Sequence, residues 1–571
     1  MKYRFIIIAA AMLTAATGCN KDFLNIKDPD AIPAAELGKS TQDISLMLNN
    51  AYAMTRTAGL YGAFLFPKGT YPLGHITDQQ WRNDAWWNEL HQNNTKPQCG
   101  DFASVYSDAW RGVAACNVVL EALQNFRANY MKPDEKNVTD QIEGQALGLR
   151  ALYYFFLVNL WGDGMGKANF DKPGVPIVTN IPRKQEELYV ERAKVGEVWD
   201  FMIDDLEKAE TLLDGFTDIR RVNKWSVKAF LGKAYVFTEN WTEARAKLLE
   251  VIENSGRQLL PLNDYKQMFN GKKKFNNESL FELNSEVDFT AGWGVFGGPT
   301  TGATMGLYYG LEGYGFDNLF MHDRNLARFG FTLPIPTLTA DEKNINDPAY
   351  LTQSLQLRQG NAVDPRLYIC ALEPYIDKVG DDVNAPKTIV PQYVKPGERT
   401  QYHAWLLRKY GPIDHPIWSF NGQINDNFYF IRLADVYLLF AEACKNTGDN
   451  VNALEYINKV KRRAYGYPVN GASPADYPSL TAGTMAKGTD KHGAPDQLAN
   501  DPLKYERWAE LFGEGHWWFD VCRWRIGSKE ADYFVRVTTG EIQWNDNRSY
   551  AQPIPIQEMQ VNPKMVQNPN Y

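Results

Sequence analysis

Beyond its first sixteen residues the sequence contains no apolar run near the roughly 20 residues a membrane-spanning helix needs, so the body of the chain reads as globular. It also lacks a basic stripe. Net charge is -8 with both signs spread along the chain, which argues against nucleic-acid binding. No CxxC pair or Cys/His spacing occurs, which argues against a metal site. No EF-hand loop is present, so calcium could be held only by scattered loop carboxylates. The catalytic patterns G-x-S-x-G, H-E-x-x-H and the Walker loop are all absent. Gly162-x-Gly164-x-Gly166 follows a helical pattern, whereas a dinucleotide loop follows a strand and opens a helix. Carboxylate pairs such as Glu282 and Glu286 suit glycosidase chemistry, but a chain with 68 acidic residues produces such pairs by chance. No catalytic residue, cofactor or metal is expected.

The informative positive feature is the start. Lys2 and Arg4 precede an apolar run from Phe5 to Ala16, roughly the length of a signal-peptide core. Small residues then lead to Cys19. The arrangement Ala16-Thr17-Gly18-Cys19 resembles a bacterial lipobox, after which the cysteine is the first mature residue and carries lipid. More than one acyl chain anchors stably, so the expectation is permanent attachment to a membrane surface. The remaining cysteines, Cys99, Cys116, Cys370, Cys444 and Cys522, are odd in number and scattered. They read as buried free thiols, with at most one chance disulfide.

Aromatic residues are abundant, with 16 Trp, 30 Tyr and 29 Phe. Some fill a core, and the excess suggests a ligand surface of flat rings. Helical patterns dominate to about residue 260. Leu149, Tyr153, Phe156 and Leu160 fall on one helical face, and Gly162 stops the helix. Residues 225–254 carry the Leu231-Gly232-x-x-Tyr235 step of a tetratricopeptide helix pair, with Gly232 admitting the partner helix and Tyr235 filling the gap. A similar pair covers 432–463. There Ala434, Tyr437, Leu438 and Ala441 line the first helix, and Gly448 and Asp449 make the turn. The two units are far apart, which predicts separate hairpins and no tandem solenoid. Residues 285–430 lack sustained periodicity and are rich in Gly, Pro, Asn and aromatics, the pattern of a long functional loop region. Residues 466–500 read as a second, mobile loop region.

Sugar rings have apolar faces rimmed by hydroxyls. Aromatic faces grip them, while amides, carboxylates and arginines bond the hydroxyls. In 78–94, Trp81, Trp86 and Trp87 stand among Asp78, Gln79, Arg82, Asn83 and Asn88. Such rings either anchor the segment on the helices or face a ligand. Trp508, Trp518 and Trp524 have helical spacing and read as core.

Taken in order, these segments resemble the RagB/SusD family of Bacteroidetes outer-membrane lipoproteins. The run CNKDFLNIKDPD after Cys19 looks like the mature start of that family. LNNAYAM at 48–54, WRGVAACNVVLEAL at 110–123, GQALGLRALYYFFLVNLWGD and RRVNKWSVKAFLGKAYVFTENWTEA follow. VDPRL at 363–367, RKY at 408–410, RLADVYLLFAEA at 432–443, YERWAELFGEGHWWFDVCRW at 505–524 and the terminal YAQPIPIQEMQVNPKMVQNPNY complete the series. His516, Trp517 and Trp161 depart from the pattern at positions that read as packing. Glu506, Arg507, Glu510, Glu514, Asp520 and Arg523 recur at helical spacings and read as structural charge pairs.

The resemblance implies a mainly α, SusD-like fold with tetratricopeptide-like hairpins as scaffold and a loop-rich ligand face. It implies a signal peptide at 1–18, a lipidated tether at 19–40, an N-terminal helical region at 41–270, and a C-terminal region at 271–571 with the insert 285–430. It implies a non-enzymatic surface protein that holds oligosaccharides and passes them to a SusC-like TonB-dependent outer-membrane transporter. The same architecture with a peptide ligand is the alternative, and a lipid-anchored glycoside hydrolase a remote one. Ligand aromatics are expected in the early loop and near 290–325, where Trp293, Phe296, Tyr308, Tyr309 and Tyr314 stand.

Overall fold

The structure, a computed structural model, describes residues 38–62, 76–78, 88–91, 93–163, 165–286, 319–321, 323–333, 347–379, 387–388, 405–410, 424–534 and 542–571. Helix α1 (Thr41–Ala53) starts on a capping box. The Ser40 hydroxyl accepts from the Asp43 amide while the Asp43 carboxylate accepts from the Ser40 amide. Helices α2 (Gly100–Asn129), α3 (Lys136–Trp161) and α4 (Val195–Leu212) follow. The expected apolar stripe lies on α3, and Gly162 caps its end. Burial extends beyond that stripe, because α1, α2 and α4 all pack on α3 and cover its other faces.

Helices α5 (Lys224–Phe237) and α6 (Trp241–Asn254) form the first expected hairpin. Gly232 admits the partner helix as the sequence predicts. The gap is filled by Leu248, which would lie 2.6 Å from a Cβ placed on Gly232. Tyr235 does not fill it. That residue is offset around the helix toward α4, where its hydroxyl donates to Glu207 at 2.7 Å.

Among the described residues there are eight short strands, numbered in chain order. They are β1 (Ile76–Asp78), β2 (Ser279–Leu283), β3 (Leu319–Met321), β4 (Ala371–Leu372), β5 (Lys378–Val379), β6 (Lys387–Thr388), β7 (Leu406–Leu407) and β8 (Phe428–Arg432). One sheet has the order β1-β3-β7-β4, β2 pairs antiparallel with β8, and β5 pairs with β6. Helices α7 (Asp323–Arg328) and α8 (Pro348–Gln359) lie between β3 and β4. The expected irregular insert 285–430 therefore holds ordered elements within its described parts. The strands are too short to show a period, and α8 buries only Ser354, so it carries no apolar stripe.

The second hairpin is α9 (Leu433–Asn446) and α10 (Asn450–Ala464). It follows β8 directly, and α9 packs against α6, so the two hairpins adjoin in space despite their separation in sequence. Residues 466–500, expected to be mobile, are docked. Tyr477 donates to Glu506 at 2.8 Å, Asn458 donates to the Tyr477 carbonyl, and Asp496 accepts from Arg328 at 2.6 Å. Irregular backbone held by side-chain bonds to the core leaves no periodic trace in the sequence.

Helices α11 (Pro502–Glu510) and α12 (Trp517–Trp524) carry the charged signature segment. Its charges pair mostly with distant elements. Arg366 donates to Glu506 at 2.7 Å, and Arg432 reaches Glu278, Glu510 and Glu514 at 2.6–2.8 Å. Arg463 also pairs with Glu278 and Glu510. Arg507 joins Asp435 and Asp520, and Arg523 joins Glu442. Asp520–Arg523 is the helix-local exception. Both helices are buried, so their charges cannot reach water and take partners across the interface. His516 sits 3.1 Å from Lys233, and burial beside that ammonium lowers its pKa to about 3. Trp161, Trp508 and Trp518 are fully buried, whereas Trp524 is half-buried. The five cysteines from Cys99 onward are free thiols, four of them buried and Cys99 partly so. Among the described residues no helix is long and apolar enough to cross a membrane.

Candidate functional site

The loop region expected to face a ligand is rooted in β1, β3, β2 and β8. Strand β1 runs antiparallel to β3 with Ile76 opposite Met321, Thr77 opposite Phe320 and Asp78 opposite Leu319. Asp78 is the last described residue before segment 79–87, and Leu319 is the first after 287–318. One end of a three-residue ladder is therefore the root of both candidate segments.

The other root of 287–318 is β2, which ends beside the start of β8 with Leu283 opposite Phe428. Both strands are buried throughout. Lys274 ties their ends together. Its ammonium donates to the Ser285 carbonyl and to Asn425 Oδ1, and it lies 3.1 Å from Glu286. Arg56 donates to the Asn284 carbonyl at 2.6 Å, and the Ser285 amide donates to Asn427 Oδ1 at 2.9 Å.

Phe428 is the hub. Tyr61, just before segment 63–75, packs on Phe428 with ring centroids 5.6 Å apart and on Phe430 at 4.4 Å, edge to face. Tyr410, just before segment 411–423, stacks on Phe428 at 4.9 Å. Tyr410 also has φ +59, a left-handed backbone that a bulky residue rarely adopts. Two segments thus leave from one aromatic cluster. Sequence reading did not identify Tyr61, Phe428 or Lys274 as supports. Tyr61 and Phe428 show in the sequence only as aromatics near glycine- and asparagine-rich runs, and RKY at 408–410 only as a family-like element.

Glu282 and Glu286 do not face each other as an acid/base pair. Glu282 is buried within β2, and neither of its oxygens meets a hydrogen-bond partner in normal geometry. Burial pushes its pKa up to about 7 against the opposing pull of Asn427, Ser279 and Lys274. Glu286 is exposed at the strand exit, beside Lys274. Among the described residues no cluster of three His, Cys, Asp or Glu side chains could hold a metal.

The sequence candidates Trp81, Trp86, Trp87, Trp293, Phe296, Tyr308, Tyr309 and Tyr314 all lie outside the described residues, as does Cys19. What the described residues supply is the frame. Rings carried on segments with a common root can meet one ligand, and amides and carboxylates between them can bond its hydroxyls.

Residues 349–571 match the family described as "SusD family", and residues 22–236 match the family described as "Starch-binding associating with outer membrane". Segment 287–318 falls between the two matched regions. A SusD-like protein of Formosa agariphila is 25% identical over 599 residues, spanning 100% of this chain and 98% of that one. A SusD-like protein of Bacteroides fragilis has the same fold, with a TM-score of 0.68 at 17% identity over 95% of this chain and 100% of that one. A laminarin-binding SusD-like protein superimposes with a TM-score of 0.64 at 23% identity, covering 93% and 99% of the two chains.

Proposed function

Because the chain belongs to the RagB/SusD family, we propose that it is a non-enzymatic, lipid-anchored binding protein that holds oligosaccharides at the outer membrane. It passes them to a SusC-like TonB-dependent transporter. Cys19 carries the anchor, and the rings of 79–87 and 287–318 form the platform. One observation carries the reading: Asp78 pairs with Leu319, so the two ring-bearing segments share a root. The matched family description couples starch binding to the outer membrane, and the laminarin-binding relative has the same fold. Both support a glycan as the ligand class.

Titration of the purified mature protein with a panel of plant, algal and host polysaccharides and with mixed peptides tests this. The expected result is saturable binding of at least one glycan at micromolar to millimolar strength, about 4–8 kcal/mol. That binding should weaken when Trp81, Trp86 and Trp87 are replaced together by Ala. Binding confined to peptides, or no binding at all, overturns the glycan assignment. Co-purification of the tagged protein with a TonB-dependent transporter from membranes tests the delivery step separately.

A further inference from the structure

The two hairpin turns have the same backbone but different chemistry. Phe237-Thr238-Glu239-Asn240-Trp241 corresponds to Asn446-Thr447-Gly448-Asp449-Asn450. Thr238 and Thr447 both cap the preceding helix, each hydroxyl donating to the carbonyl four residues back at 2.9 Å. The next residue is left-handed in both, Gly448 with φ +83 and Glu239 with φ +59. The residue after that has φ -85 and ψ 69 at Asp449, and φ -84 and ψ 70 at Asn240.

The second turn uses the residues this backbone favours. Glycine takes the left-handed position without steric cost, and the Asp449 carboxylate caps its helix by accepting from the Asn452 amide at 3.1 Å. The first turn departs at all three places. Glu239 occupies the position that disfavours a Cβ, Asn240 makes no side-chain cap, and Trp241 opens α6 half-exposed. Local departures from the most stable choice, gathered in one place, mark functional sites.

Two of these residues, Glu239 and Trp241, line a cavity of about 260 Å³. It lies at the end of α9 remote from β8, away from the strand that roots the loop segments. Trp241 forms one side, and among the described residues its ring engages no aromatic or cationic partner. The facing wall holds Trp524, whose indole N–H donates to Glu442 at 2.8 Å, with the Arg523 guanidinium 4.4 Å over its ring. Lys445 supplies a donor, and Lys504, whose ammonium is 3.0 Å from Asp501, has further N–H groups to give. The Lys167 amide, donating at 3.2 Å, fixes one oxygen of Glu239 and leaves the other for a ligand. The lining is charge-balanced: Glu239, Glu442 and Asp501 against Lys445, Lys504 and Arg523. A strongly charged ligand gains nothing there. A compact, neutral group with one apolar face and several hydroxyls fits the ring, donors and acceptors together.

We propose that this cavity is a second sugar-binding site, taking one or two neutral pyranose units, with Trp241 as its platform and Glu239 as its acceptor. It is independent of the loop segments, and its test distinguishes the two. The full mature protein is labelled with 5-fluorotryptophan, and the Trp241 fluorine signal is identified with Trp241→Phe. Maltose, cellobiose, laminaribiose, mannobiose and lactose are the probes, with triglycine and trialanine as peptide controls. The expected result is a saturable shift of the Trp241 signal by at least one sugar in the millimolar range, retained when Trp81, Trp86 and Trp87 are all Ala. Glu239→Gly should weaken that sugar severalfold while its melting temperature stays equal or rises, because glycine suits the turn better. A Trp241 signal that ignores every sugar, or moves only with peptides, overturns the proposal. So does a Glu239→Gly protein that binds as tightly as the parent, or one that melts lower, which would make Glu239 a support of the turn.

Discussion

Gly232 and Leu248 touch so closely that a Cβ on Gly232 would stand 2.6 Å from both the Cγ and a Cδ of Leu248. The first hairpin therefore depends on the absence of one methyl group. Gly232→Val should cost about 1–3 kcal/mol through overpacking. Adding Leu248→Ala should return part of that loss, so that the two changes are non-additive. A double-mutant cycle by urea denaturation checks this.

Glu510 accepts from Arg432 at 2.8 Å and also pairs with Arg463. Those guanidiniums hold its carboxyl down at about 2. Glu510→Ala leaves buried positive charge uncompensated and should destabilise by about 3–5 kcal/mol. Its partner Arg432 closes β8 at the end away from Phe428, so ligand affinity of the remaining folded fraction should be unchanged. Denaturation curves and calorimetric titration on the same preparation separate the two.

Glu282 has the opposite pH signature. Its folded pKa of about 7 lies above the ordinary carboxylate value of about 4.3. Its contribution is therefore complete below about pH 4.3 and is lost as pH rises through 7. Glu282→Gln, which stays neutral, should flatten the stability profile across that window. At pH 8 it should gain on the parent by up to about 3 kcal/mol. Melting temperatures measured from pH 4 to 8 decide it, and equal slopes in the two proteins would refute the assignment.

The shared root of 79–87 and 287–318 predicts energetic coupling between their rings. Trp87→Ala and Tyr309→Ala should each weaken glycan binding by about 1–3 kcal/mol if both rings meet ligand. Combined, they should depart from additivity by at least about 0.5 kcal/mol. Strictly additive losses would assign the two segments to separate ligands.

Cys19→Ala should leave folding and ligand binding of the purified protein intact and move it from the membrane to the soluble fraction. Cell fractionation followed by surface protease shaving checks this, and retention on the membrane would refute anchoring through Cys19.

The helical frame was legible because long amphipathic helices repeat their pattern many times. Leu149 to Leu160 and the Leu231-Gly232 step show this. The partners of the signature charges were not legible. Glu506 and Arg366 stand 140 residues apart, whereas spacing alone suggests helix-local pairs such as Asp520–Arg523. The short strands were equally hidden, since two or three residues carry no period. The loop aromatics were legible as chemistry, because clustered tryptophans in polar sequence are conspicuous. Their common root was not, because register between Asp78 and Leu319 depends on a ladder 241 positions apart that no local pattern encodes. Glu239 and Trp241 stand where one helical pattern gives way to the next, but only the match between two observed backbones shows that they break the rules of the turn.

The buried ion network also fixes the order in which the molecule can be completed. Arg366, Arg432 and Arg463 are made before Glu506, Glu510 and Glu514, which stand closer to the C-terminus. Until then Arg366 has Asp364, and Arg432 and Arg463 share Glu278, so two of the three guanidiniums divide one carboxylate in a dry interior. The C-terminal helices thus complete the charge balance of a core whose other carboxylates are laid down earlier in the chain.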